Sequence, residues 1–201
     1  NNVEEQGEAC AVDQNGNVYL AGFVDATSPA IPSGGHQNIY GGNRDAFLVK
    51  FNSNGQRLWG TYYGGNSQDW AYSCAVDGFD NVFLSGGALS TNNISFAGHQ
   101  NSLGSSGAND AFLVKFNSAG VRQWATYYGG SQREYGNSCK VDGTGNVYLT
   151  GNTGSTTGIA SSGHQNASGG LQDAFLVKFN PTGVRIWATY YGGSTTIDDG
   201  N

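Results

Sequence analysis

Along Asp45-Ala46-Phe47-Leu48-Val49-Lys50-Phe51 the apolar positions fall on both sides of a two-residue period. Phe47, Val49 and Phe51 point one way, and Ala46 and Leu48 point the other, with only Lys50 breaking the pattern. A strand with two apolar faces has to be covered on both. The same seven residues return at Asp110 to Phe116 and at Asp173 to Phe179, 65 and then 63 residues further on. Each copy leads through a four-residue turn to a tryptophan (Trp59, Trp124, Trp187) and then to Thr-Tyr-Tyr-Gly-Gly, ending at Gly65, Gly130 and Gly193.

The pattern predicts four strands per repeat. In the first they are Ala9 to Val12, Asn17 to Ala21, Asp45 to Phe51 and Arg57 to Tyr63. The turns between them carry their own chemistry. Asn180-Pro181-Thr182-Gly183 has the type I preferences: Asn caps, Pro presets φ, and Gly takes the left-handed position. Asn117 to Gly120 and Asp142 to Gly145 are counterparts. In Asp77-Gly78-Phe79-Asp80 an aspartate stands in for the last glycine, since Asp visits positive φ more readily than most residues. The segments between the second and third strands vary most and share only a Gly-His-Gln-Asn tetrad, at 35–38, 98–101 and 163–166. Variable loops on a fixed scaffold are where specificity usually resides.

No repeat contains a helical period, so the expected class is all-β. Small four-stranded antiparallel sheets with two apolar faces are covered when each is sandwiched between its neighbours, as in a β-propeller of about 4–8 blades. The expected units are blade one at 1–65, blade two at 66–130 and blade three at 131–193, with 194–201 starting a further repeat. Three blades are too few for a ring. The expectation is therefore either a longer parent protein or copies that associate to cover the exposed end faces.

Composition sharpens this picture. The chain holds 33 glycines in 201 residues, three prolines and no methionine, which suits short strands and glycine turns rather than long helices. With a net charge of −6 and nine scattered basic residues, it lacks the clustered Lys and Arg of a nucleic-acid surface. No apolar run approaches the roughly 20 residues that span a bilayer as a helix. The chain begins at Asn1 and reads as a processed or excised piece. Cys10, Cys74 and Cys139 occupy one slot of the repeat, which is no disulfide framework; they are expected as small buried apolar residues.

The motifs Asp-Ala-Phe-Leu-Val-Lys-Phe, Trp-x-Thr-Tyr-Tyr-Gly-Gly and Val-Asp-x-x-Gly-Asn-Val-Tyr-Leu, with an Asn-x-x-Gly turn, together resemble the bacterial SBBP repeat, named for the seven-bladed β-propeller. The resemblance runs three times over essentially the whole chain. It implies an extracellular or surface-associated bacterial module, often within a larger secreted protein, with no activity and no catalytic residues to carry over.

Symmetry filters the candidate chemistry, because an active site normally occurs once. His36, His99 and His164 recur beside Gln and Asn, and are expected to tie a long loop to its blade, since a lone His is a poor metal site. The acids Glu5, Asp69, Glu134 and Asp198 recur just before the innermost strand. One reading is a carboxylate rim for Ca²⁺ or a cationic ligand. The favoured one is pairing with Lys50, Lys115 and Lys178, or with Arg57, Arg122 and Arg185. The repeated Trp and Tyr are expected in blade packing. Residues unique to one repeat, Trp70, Tyr135, Arg133, Arg44 and Phe96, are the better candidates for specific contacts. No nucleophile–base constellation stands out. The expected role is a non-enzymatic extracellular structural or adhesion module that associates with its own copies or further repeats. The alternative is a carbohydrate-binding propeller using the loops between strands two and three. Neither needs a cofactor, and Ca²⁺ is the one metal the acids suggest.

Overall fold

The computed structural model describes residues 4–194 and Gly200. They contain twelve strands and no helix. The first sheet holds β1 (Glu5–Val12), β2 (Val18–Val24), β3 (Asp45–Phe51) and β4 (Arg57–Tyr63). The second holds β5 (Asp69–Val76), β6 (Val82–Ala88), β7 (Asp110–Phe116) and β8 (Arg122–Tyr128). The third holds β9 (Glu134–Val141), β10 (Val147–Thr153), β11 (Asp173–Phe179) and β12 (Arg185–Tyr191). Every pairing is antiparallel between sequence neighbours, so each sheet is a meander.

The hairpins form as the turn residues dictate. Asp13 Oδ1 accepts from the backbone N–H of Asn15 at 3.0 Å and of Asn17 at 2.9 Å, closing the β1–β2 turn. Gly16, Gly55, Gly120, Gly145 and Gly183 all take positive φ, and Asp80 takes φ 61° in their place. The first and second strands run longer than the apolar pattern indicates. β1 starts at Glu5 through a bulge between Gly7 and Ala9, repeated in β5 between Ala71 and Ser73 and in β9 between Tyr135 and Ser138.

The sheets stack face to face. β5 packs across β1, β2 and β3, and β9 packs across β5, β6 and β7. Leu48, Trp59 and Tyr63 of the first blade share a core with Leu84, Phe112 and Phe116 of the second. Phe83, Leu113 and Tyr128 of the second share another with Leu149, Phe175 and Phe179 of the third. The burial of one repeated strand shows the sandwich: β7 is covered on both sides, whereas β11 alternates buried with half-exposed residues. The three sheets are therefore propeller-type blades.

The loop after each second strand returns to guard the sheet edge. Ser33 bridges to Gly60, Phe96 to Ala125 and Ser161 to Ala188, each on the outermost strand of its blade. One cysteine departs from its expected burial. Cys74 and Cys139 are buried between blades, but Cys10 is exposed, because no blade lies on that side of the first sheet. All three are free.

Candidate functional site

The contacts between blade faces are built twice in the same way. The last tyrosine of each outer strand crosses to the next blade. Tyr63 sits 5.3 Å from the Phe112 ring and 5.7 Å from Phe116, and its hydroxyl donates to Ile94 O. Tyr128 sits 5.3 Å from Phe175 and 5.7 Å from Phe179, and its hydroxyl donates to Ile159 O. The tryptophan indole makes the second tie. Trp59 Nε1 donates to Ser118 O at 3.0 Å, and Trp124 Nε1 donates to Pro181 O at 2.9 Å.

The recurring histidines belong to the same joint. His36 lies 6.1 Å from Phe116 and His99 lies 6.2 Å from Phe179, so each imidazole packs on the following blade. Burial, with the charge of Arg122 second, pushes His36 down to about 4; burial and then Arg185 lower His99. Tying the loop to its own blade falls to the neighbouring glutamine instead. Thr61 Oγ1 accepts from Gln37 N at 2.7 Å, Thr126 Oγ1 from Gln100 N at 2.8 Å and Thr189 Oγ1 from Gln165 N at 2.8 Å. The amide of Gln100 also donates to Asp110 Oδ2 at 2.7 Å. The glutamine recurs in the tetrad as regularly as the histidine, and that was the signal for its role.

Among the described residues, Glu5, Asp69 and Glu134 form no ion pair with the lysines or arginines expected to pair with them. The lysines instead meet the turn aspartates: Lys50 Nζ is 3.3 Å from Asp13, Lys115 3.7 Å from Asp77 and Lys178 3.9 Å from Asp142. Lysine and turn aspartate sit side by side across the hairpin, whereas the acids lie at the far end of the blade. Asp69 and Glu134 are fully buried there, and Glu5 is exposed at the open first blade, where it accepts from Ser28 Oγ at 2.6 Å. Asp198 lies outside the described residues.

The buried acids meet other carboxylates. Both Asp45 and Asp69 crowd Gly64, and Asp110 and Glu134 crowd Gly129. A methyl group on Gly129 would lie 2.5 Å from Asp110 Oδ1 and 2.5 Å from Glu134 Oε2. In each pair one oxygen is left over, since Asp45 Oδ1 and Asp110 Oδ1 are buried without a hydrogen-bond partner. Burial first, with the neighbouring acid contributing, pushes Asp45 up to about 6 and Asp110 up to about 7. Burial likewise pushes Asp69 up to about 6 and raises Glu134. Among the described residues no three His, Cys, Asp or Glu side chains gather around one point where they could hold a metal.

The residues unique to one repeat separate into three places. Arg44 lies over the rings of Phe23 at 4.7 Å and Trp70 at 5.7 Å, and forms an ion pair with Asp25. This cluster closes the seam between the first two blades. At the next seam, the position of Trp70 is taken by Tyr135, which lines an open hollow with Arg133, Gln132, Leu171 and Gln172. Phe96 is exposed under the Arg122 guanidinium, 4.9 Å away.

No family model matches the chain. It is 26% identical over 227 aligned residues to an uncharacterized WD repeat-containing protein of Acanthamoeba polyphaga mimivirus. The match covers 97% of this chain but 16% of that viral protein, so the chain spans about a sixth of its relative's length. The sequence similarity and the stacked four-stranded sheets agree on a repeat architecture of the β-propeller type.

Proposed function

We propose that the chain is a non-enzymatic structural or adhesion module of an extracellular propeller protein, acting through blade-on-blade association with its own copies or further repeats. The resemblance of its motifs to the SBBP repeat supports the bacterial surface setting, and the regularity of the blades supports a role without catalysis. The observation that carries the reading is the state of the two ends. The first blade presents Leu20, Phe47, Val49 and Phe51 around an apolar hollow, and the third presents Leu176, Trp187 and Tyr191. Equivalent faces are buried wherever a neighbouring blade is present. Light scattering on the isolated chain is expected to report an assembly at micromolar concentration. A well-behaved monomer throughout that range would remove the reading.

A second reading rests on the open hollow of Tyr135 and Arg133. It pairs an aromatic ring with amide and guanidinium donors, the combination that recognises a sugar. If it is a glycan site, a glycan array gives a signal that Tyr135→Ala abolishes while the circular dichroism stays unchanged. An array on which the unaltered chain binds nothing disposes of this reading and leaves the first intact.

A further inference from the structure

We propose that the hollow at the second seam takes a sugar ring that carries a carboxylate, a uronic or sialic acid residue, with Tyr135 under the ring and Arg133 on the acid. The inference rests on the glycan reading above and names the class of sugar.

The two seams within the chain show how the hollow arises. At the first, Arg44 lies over both Phe23 and Trp70, and Asp25 neutralises its guanidinium. At the second, Gly87 stands in the place of Phe23, since each pairs with the alanine of its Asp-Ala-Phe strand. Asn109 and Tyr135 stand in the places of Arg44 and Trp70, and the Asn109 amide turns inward to donate to Glu134 O. Among the described residues no guanidinium lies over the Tyr135 ring.

The loop between the second and third strands differs as well. Asp45 Oδ2 accepts from Gly41 N and Asp173 Oδ2 from Gly169 N, each four residues back. Asp110 Oδ2 accepts from Gly104 N, six residues back, so the second blade carries two more residues here. At the first seam the shorter loop is fastened down: Asn43 N and Arg44 N both donate to Ser67 O, and a Cβ on Gly42 would lie 2.2 Å from the same oxygen. At the second, Gln132 replaces Ser67, and among the described residues no backbone N–H of the loop donates to its carbonyl. A Cβ on Gly107, the counterpart of Gly42, would meet nothing within 4 Å. The longer loop stands off the seam and leaves a hollow of about 630 Å³, within the range of about 300–1,000 Å³ that small ligands occupy.

The lining selects the guest. Arg133 is its one charged side chain, where the first seam has Gln68. It is exposed, and among the described residues its guanidinium makes no ion pair. The nearby acid Glu134 is turned away, accepting from Thr153 Oγ1 and Gly130 N. A carboxylate is the group that completes this charge, because the guanidinium fork meets both of its oxygens at once. Tyr135, packed beside Tyr72 at 6.3 Å, offers a flat face to the C–H bonds of a sugar ring. Gln132 and Gln172 offer amides to its hydroxyls. An acidic peptide would bring the carboxylate but no polyhydroxyl ring for the two glutamines.

The test is calorimetric titration of the full chain with two pairs of probes, tetragalacturonate against its methyl ester and sialyllactose against lactose. One acidic probe is expected to bind, and its neutral counterpart at least about tenfold more weakly; which pair responds separates a uronate from a sialate. Arg133→Gln, which copies the first seam, is expected to weaken the acidic probe by the same factor and leave the neutral one unchanged. Tyr135→Ala is expected to abolish binding of both, with the circular dichroism unaltered. Neutral probes that bind as tightly as acidic ones, or an Arg133→Gln chain that still discriminates, would overturn the carboxylate assignment and leave the glycan reading standing. Acid binding that survives Tyr135→Ala would be attraction by charge alone, and would also sink the proposal. If no probe binds, the proposal falls, and the glycan array alone decides the broader reading.

Discussion

Tyr128→Ala is expected to lower the stability of the chain by about 3–5 kcal/mol and to split its single unfolding transition into two. The ring lies fully buried between Phe175 and Phe179 of the third blade, and its hydroxyl satisfies the Ile159 carbonyl. Removing it opens a cavity at the seam and leaves the Ile159 carbonyl with Arg185 Nη1, 3.2 Å away, as its remaining side-chain donor. The loss falls on coupling between neighbours rather than on one blade, so the third blade then melts at lower denaturant than the first two. The same substitution at Tyr191 removes a side chain that is mostly in water. In the monomer it should change stability by less than about 0.5 kcal/mol. Urea unfolding followed by tryptophan fluorescence reads both, since Trp187 reports the third blade and Trp59 the first. A single cooperative transition in Tyr128→Ala, shifted by no more than that of Tyr191→Ala, would mean the blades do not depend on this seat.

That one repeated tyrosine is buried twice and exposed once illustrates what the sequence does and does not carry. The period, the four strands and the turns are local, written in alternation and in Asn, Asp and Gly at fixed offsets, and β3 and β4 occupy the very residues the pattern marks. The need to cover both faces of Asp45–Phe51 also follows from alternation, and it led directly to the stacked blades. The partners of charged groups are another matter. Strand register puts Lys50 opposite Tyr19 and Trp59, but which carboxylate meets its ammonium depends on how the hairpin folds over, and Asp13 wins. The acids at Asp69 and Glu134 read as salt-bridge partners because their sequence neighbours hide the fact that their blade end lies against the preceding Asp-Ala-Phe strand, and Glu5 has no such strand before it. The cysteine slot shows the same limit. Three equivalent residues become two buried and one exposed only once the stack has an end. The seam hollow at Tyr135 and the Arg44 cluster likewise depend on loops whose residues do not repeat.

The buried acid pairs make the second large prediction, that the chain is more stable at pH 5 than at pH 8. Asp110 ionises near 7 and Asp45 and Asp69 near 6 in the folded chain, against an ordinary aspartate value of 3.8. Because these values are raised, the folded state keeps protons that the unfolded state gives up. Their contribution is complete below about pH 4 and disappears as pH rises through 6 and 7. At pH 8 two neighbouring carboxylates at each seam are charged, fully buried and without a basic side chain among the main influences on their ionisation. The opposite limb belongs to the turns. Burial opposes ionisation of Asp13, but hydrogen bonds from Asn17 and from Lys50 outweigh it and hold the carboxyl low; Asn146 and Thr144 hold Asp142 low. Those groups lose their contribution only as pH falls below the ordinary aspartate range, so the optimum is expected near about pH 4–5. Asp110→Asn isolates the effect. Its amide oxygen can keep the Gly104 N–H and Gln100 bonds made by Asp110 Oδ2, which turns the amide nitrogen toward Glu134 as a donor. The substitution is expected to raise stability at pH 8 by about 1–3 kcal/mol and to flatten the profile between pH 5 and 8. Denaturant unfolding at pH 5, 6.5 and 8 measures both chains. Stability of the unaltered chain that falls steadily from pH 8 to pH 5, or an Asp110→Asn chain less stable than it at pH 8, would show that the seam carboxylates are not held as acids in the fold.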